Sequence, residues 1–179
     1  MAVGVTRAFT EAELAAVAEY SQEFFEAARY GELDDLKLMC NHDRLRQLID
    51  FRNLSEAESG NSPLMLACAN GHMDCVQFLV EGVLVDVSHK NLAGNTALHW
   101  SALNGHAECV EYLIRKGANV LAENNFRQTA FDEAIARDKK DCCEILVQEE
   151  VRLAKADGDV DMADSTPAIS TQLDQVAEE

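Results

Sequence analysis

The chain has 179 residues, room for one domain of ordinary size with tails. It carries 32 acidic against 15 basic residues, a formal net charge of −17, which argues against nucleic-acid binding through phosphates and against anionic membrane surfaces. Apolar residues make up 47% and aromatics only 6%, a mixture that supports a packed core and favours close-packed helices over a β-sandwich.

The first thirteen residues, MAVGVTRAFTEAE, hold no long apolar stretch of the secretory kind, and no run approaches the length of a membrane-spanning helix. Thr10-Glu11-Ala12-Glu13 reads as a capping box. It predicts a helix to about Tyr30, whose front half (Leu14, Ala15, Val17, Ala18) is expected to cover one edge of the domain.

An internal repeat follows. Residues 60–91 lie over 94–125 at an offset of 34: Gly60 on Gly94, Asn61 on Asn95, Leu64 on Leu98, Gly71-His72 on Gly105-His106, Cys75-Val76 on Cys109-Val110 and Leu79 on Leu113. A weaker copy comes 33 residues later, with Thr129 on Thr96, Phe131 on Leu98 and Leu146 on Leu113. A degenerate copy precedes, where Ala27 to Asp34 matches the joint at 67–74.

Each unit reads as two short helices. Leu98, Ala102 and Leu103 give the first an apolar face, and Gly105 allows the positive φ needed to leave it. Val110, Leu113 and Ile114 supply the i, i+3, i+4 face of the second, and Gly117 ends it as a C′ glycine. Helices this short do not persist alone in water, so the core must be the stack itself.

The last copy has Arg127 and Asp138 where its predecessors have glycine, together with the polar run Arg137, Lys139, Lys140 and Asp141. A terminal unit needs a polar outer face, so this reads as a cap. Residues 41–59 form an insertion that lengthens the spacing from Gly31 to Gly71, and Leu45, Leu48, Ile49 and Leu54 predict that it packs. Residues 149–179 hold nine acids and two bases and read as an acidic tail, disordered from about 155.

Six cysteines stand at 40, 68, 75, 109, 142 and 143, with no CxxC and no zinc-type Cys/His spacing. They read as reduced thiols of a cytoplasmic protein, or one also found in the nucleus. Cys142 and Cys143 are adjacent, poor geometry for an ordinary disulfide. No phosphate-binding, zinc-protease or nucleophile-elbow motif occurs. No catalytic, cofactor or metal residue is assigned, and the chain is not expected to be an enzyme.

The repeated Gly-x-Thr-x-Leu-His…Gly-His…Val-x-x-Leu…Gly-Ala pattern resembles the ankyrin repeat, and is best kept from Gly94 to Ala118. The resemblance implies an all-α solenoid of about four stacked helix–turn–helix units joined by β-turns. The units would lie near 23–40, 60–91, 94–125 and 126–148, after an N-terminal capping region 1–22 and before the tail 149–179. It implies that Thr96 and His99 bond within and between repeats, with Gly71, Gly105 and Gly117 as structural glycines. It also implies that partners meet the turn tips and the exposed side of the first helices. Carried onto this chain, those positions are Glu58, Asn61, Asn70, Leu92, Asn95, Leu103, Asn104, Phe126, Gln128 and Arg137. Trp100, the single tryptophan, replaces Leu66 of the preceding copy; packing within the stack and an exposed anchor both remain open for it, as both do for Leu92 and Phe126.

Residues 11–58 hold twelve acids and five bases, so a basic partner is expected. The order ARYGELDDLK, an insertion ending SEAESGNSPL, ACANGH, GNTALHWSALNGH and an acidic tail is similar to one small family, the yeast-type ankyrin chaperones of small-subunit ribosomal protein S-three. That resemblance implies an acidic escort, monomeric when free, with Glu56, Glu58 and the tail acids steering a basic ribosomal protein. The alternative is a generic ankyrin adaptor in signalling or trafficking with a non-basic partner.

Overall fold

A computed structural model describes residues 10–43, 45 and 49–156 of the chain. The described elements are helices: α1 (Glu11–Tyr30), α2 (Leu33–Asn41), α3 (Pro63–Asn70), α4 (Met73–Gln77) continued by a π-helical turn (Phe78–Val83), α5 (Ala97–Asn104), α6 (Ala107–Arg115), α7 (Ala130–Ala136) and α8 (Lys140–Ala156). They pair as α1–α2, α3–α4, α5–α6 and α7–α8. The first helices stack in one row, α1 on α3 on α5 on α7, and the second helices in another. This is the all-α repeat solenoid that the sequence predicts, with four helix pairs.

Local chemistry starts and stops each helix. Ser62 accepts the Met65 N–H, with Pro63 at the first helical position. Thr96 and Thr129 form capping boxes with His99 and Asp132. α3 and α5 end at Gly71 (φ 73°) and Gly105 (φ 84°). Each of these helices has eight residues, below the roughly 12–15 that is marginal alone, so packing supplies their stability. Columns of equivalent side chains do this: Phe24, Leu64, Leu98 and Phe131 from the first helices, and Leu36, Val76, Val110 and Cys143 from the second, are all buried. Burying one such large apolar side chain contributes about 1.5–3 kcal/mol.

The change of offset from 34 to 33 has a local cause. The π-helical turn takes up one extra residue, with the Val85 N–H bonding to the Leu79 carbonyl across six positions where Ala118 bonds to Leu113 across five. Leu84 (φ 64°) then occupies the left-handed place that Gly117 (φ 88°) fills one unit later.

Two expectations change. The front half of α1 does not cover the edge of the stack: Leu14, Ala15 and Ala18 are exposed and only Val17 is half-buried. Burial is concentrated in the second half, at Phe24, Phe25, Ala27 and Ala28, with Val17 and Tyr20 only partly buried against the core. The side chain of Glu13, half of the expected capping box, lies outside the described residues. At the other end α8 runs to Ala156, so the first eight residues assigned to the tail are helical, with Val151 and Leu153 half-buried. The disorder expected of later residues concerns positions outside the described ones, as does Leu48. The insertion packs as expected at Leu45 and Ile49, with Leu54 half-buried against the core, and Phe51, which the sequence reading left out, is buried with its ring 4.6 Å from that of Phe24.

Candidate protein-binding surface

Two polar ladders run along the stack. In the first, the histidine opening α4 and the one opening α6 each reach back one unit. His72 Nε2 donates to the Arg29 carbonyl at 2.9 Å, and His106 Nε2 to the Ala69 carbonyl at 3.1 Å. Each ring presses where a Cβ of the preceding corner would sit: one added at Gly71 would lie 2.5 Å from His106 Nδ1. Lys139 holds the same place against Gly105. Among the described residues no further ring or side chain of a following unit presses on the last corner, which Asp138 turns at φ 52°; Asp tolerates that conformation better than most residues.

The second ladder joins the turn tips. Asn91 Oδ1 accepts the Ala93 and Asn95 N–H groups, and Asn91 Nδ2 donates to Asn61 Oδ1 at 2.8 Å. Asn124 repeats this with Phe126, Gln128 and Asn95. Glu56 fills the equivalent place before the second unit. Its backbone N–H bonds to the Asn61 carbonyl, and its carboxylate accepts from Arg29 (2.9 Å), Ser59 (2.5 Å) and Asn61 (3.1 Å). Glu56 is therefore not a free steering charge, as the sequence suggests, but the first rung of this ladder. Glu58 stays exposed. Of the tail acids, Glu149 pairs with Arg152, and those after Ala156 lie outside the described residues.

His99 links both directions. Its Nδ1 accepts the Thr96 N–H at 3.1 Å, which fixes the proton on Nε2, and Nε2 donates to the Gln128 carbonyl at 3.1 Å. Burial pushes its pKa below the usual histidine value. The ring is neutral at pH 7 and fully occupied.

The remaining candidate contact residues divide by what their side chains already do. Asn61 and Asn95 belong to the ladder. Asn70 and Asn104 each donate to a carbonyl of their own helix, Leu66 and Trp100. Gln128 is half-buried, and its main chain is engaged by Asn124 and His99. Leu92 (69%), Phe126 (74%) and Arg137 are exposed, while Leu103 is half-buried. Trp100 is half-buried too, packed on the core with its Nε1–H enclosed and without an acceptor. Glu26, Leu66, Trp100 and Glu133 occupy equivalent positions in the four first helices. Sequence reasoning left out Glu26 and Glu133; extending the Gly31 alignment by one residue would have found Glu26.

Little here suits bond-breaking chemistry. Among the described residues no group of three or more His, Cys, Asp or Glu is placed to hold a metal ion. Burial pushes the Cys142 thiol up to about 11, so it carries little thiolate at neutral pH. What the surface offers is apolar tips, a half-buried indole and unpaired carboxylates, the materials of a protein interface.

Three comparisons fit this geometry. The family profile described as Ankyrin repeats (3 copies) matches residues 24–124 and 82–160. Ankyrin repeat and SOCS box protein 2 of Bos taurus is 42% identical over 67 residues, 37% of this chain but only 10% of that protein, so the match spans about a tenth of that relative's length. A chain in the crystal structure of the yeast ribosomal protein Rps3 in complex with its chaperone Yar1 has a TM-score of 0.67 and 30% identity, over 73% of this chain and 93% of that one. That neighbour is the chaperone, itself an ankyrin-repeat protein. With its profile spanning all four helix pairs, the chain belongs to the ankyrin-repeat family and is a protein-binding module.

Proposed function

We propose that the chain is a non-enzymatic escort for a basic ribosomal protein of the small subunit, resident in the cytoplasm or also the nucleus and monomeric when free. The observation that carries this reading is the likeness over 93% of the chain found with Rps3, at 30% identity, in a chain whose own charge is −17. A newly made ribosomal protein exposes Lys/Arg-rich surface meant for rRNA. Carboxylates on this stack attract it over a Debye length of about 10 Å. Trp100, Leu103 and the exposed tips Leu92 and Phe126 give it apolar contact. Rotating the Trp100 ring outward breaks no hydrogen bond of its indole. rRNA phosphates, denser in charge than the stack, then take the cargo.

The test is capture from lysate at about 50 and 300 mM salt, with the full chain, a chain ending at Ala156 and the Trp100→Ala chain. One small basic ribosomal protein, lost at high salt and reduced by Trp100→Ala, is the expected result. A non-basic partner held equally at both salts would instead support a signalling or trafficking adaptor, the reading favoured by the 42% identity to the SOCS-box protein over 67 residues.

A further inference from the structure

Each helix pair of an ankyrin stack meets one neighbour before it and one after. The α1–α2 pair packs on α3 and α4, and no helix of the described residues covers its other side. That side is grooved. Between α1 and α2 lies a cavity of about 390 Å³. Its floor is apolar, with Ala27, Met39 and Leu45 buried and Tyr20 half-buried. Leu38 stands on its wall 69% exposed. Around it are Glu23, Glu26, Glu32 and Asp35, all exposed. Among the described residues no Lys or Arg lines the groove or pairs with these four carboxylates.

We propose that this groove is a docking site for a basic amphipathic helix of a partner protein. The groove lies where a preceding helix pair would stack, so its shape suits a helix ridge. Four exposed carboxylates around an apolar floor, of which Glu26 accepts a hydrogen bond from the neutral Gln22, select Lys and Arg, whose stems lie on apolar surface while their heads reach acids. A second copy is a poor occupant, because a symmetric contact sets one acidic rim against the other. The chain's own residues 157–179 are a poor occupant too, with seven acids and no Lys or Arg. The inference rests on the reading above for the sign of the partner's charge, and it adds a site away from Trp100.

The probe is a synthetic amphipathic peptide with leucines at i, i+3, i+4 and i+7 and lysines elsewhere, labelled for fluorescence anisotropy against the full chain. A peptide with the same leucines and glutamates in place of the lysines is the control. Leu38→Asp should weaken the lysine peptide about tenfold, as loss of an interface anchor does. Glu23→Lys with Asp35→Lys should do the same, while Glu111→Lys with Glu144→Lys, an equal charge change at exposed second-helix positions, should change it less than about twofold. All five positions are exposed, so the fold stays intact, checked by unchanged circular dichroism. Trp100→Ala should leave peptide binding unchanged, so a failed lysate capture and a failed groove are told apart. Equal binding of both peptides, or equal losses from both lysine pairs, would overturn the proposal. So would peptide binding that appears only after residues 1–9 are removed, or a dimer that excludes the peptide, since each gives the groove another occupant.

Discussion

Gly71→Ala and Gly117→Ala make a matched pair, because both glycines have positive φ (73° and 88°) but only one is pressed by a neighbour. At Gly117 a Cβ meets nothing within 4 Å. The substitution there costs only left-handed strain, about 1–2 kcal/mol for a residue with a Cβ, less roughly 0.4–1 kcal/mol from the stiffer unfolded chain. At Gly71 the same Cβ would sit 2.5 Å from His106 Nδ1 and 2.7 Å from Cε1. The ring must move, and its 3.1 Å bond to the Ala69 carbonyl goes with it. An unmade bond at a partly buried carbonyl adds about 1–3 kcal/mol. Gly71→Ala should therefore cost about 2–4 kcal/mol and Gly117→Ala about 1 kcal/mol. At roughly 2–4 °C per kcal/mol for a chain of this size, the two melting temperatures should differ by about 2–12 °C. Urea and thermal unfolding followed by far-UV circular dichroism measure this. Adding His106→Ala should remove much of the Gly71→Ala penalty, a coupling that a double-mutant cycle reads. Equal losses at the two glycines, or strict additivity with His106→Ala, would refute the stacking argument and leave backbone strain alone.

Other outcomes follow from single residues. The His99 pKa is lowered chiefly by burial, so the unfolded chain takes up that proton first as pH falls. Its stability contribution is complete above about 6.5 and declines on acidification through the lowered folded-state value, with a slope of up to about 1.4 kcal/mol per pH unit; urea midpoints from pH 7.5 to 5.5 should fall, and His99→Gln should flatten that slope. Leu84→Gly should stabilise by up to about 1 kcal/mol, since Leu84 holds φ 64° while 59% exposed; a lower urea midpoint would show that its side chain packs usefully. Cys142, buried with its pKa raised to about 11, should resist a thiol reagent in the native chain and react only on unfolding, as read by mass spectrometry of the labelled peptide.

The repeat was legible because its signals are local and periodic: Leu64 on Leu98, Val76 on Val110 and the Gly-His corners fix two units without reference to anything distant. What escaped was set by register between units. Asn61 and Asn95 look like free tip residues in sequence, yet their partners Asn91 and Asn124 lie 30 and 29 residues on, across a spacing that the π-helical turn changes by one. Glu56 looks like a surface charge because the longer insertion hides that it stands where Asn91 and Asn124 stand in later units. Leu14, Ala15 and Ala18 share α1 with the buried Phe24 and Ala28, and periodicity alone does not show where the neighbouring pair stops. Trp100 was placed in a first helix by alignment alone, but its half-buried state depends on packing that no single unit contains.

The same logic separates stacking residues from binding ones. In the middle units the repeated polar groups satisfy one another: His72 and His106 reach back to carbonyls, Asn91 and Asn124 tie the turns, and His99 joins Thr96 to Gln128. Groups already bonded in this way have little to offer a partner, because a new bond would replace an old one at small net gain. Recognition therefore falls to positions where the chain departs from its own repeat. Trp100 stands where the preceding copy has Leu66, Phe126 stands exposed at the last turn, and Glu26 replaces an apolar residue in the first pair. The largest departure is the α1–α2 face, where the series begins and an apolar floor keeps an acidic rim instead of a neighbouring pair. An ankyrin stack built of identical units would have neither the indole nor that acidic rim, so partner choice in this chain must come from its irregularities, and substitutions confined to the two ladders should change stability far more than affinity.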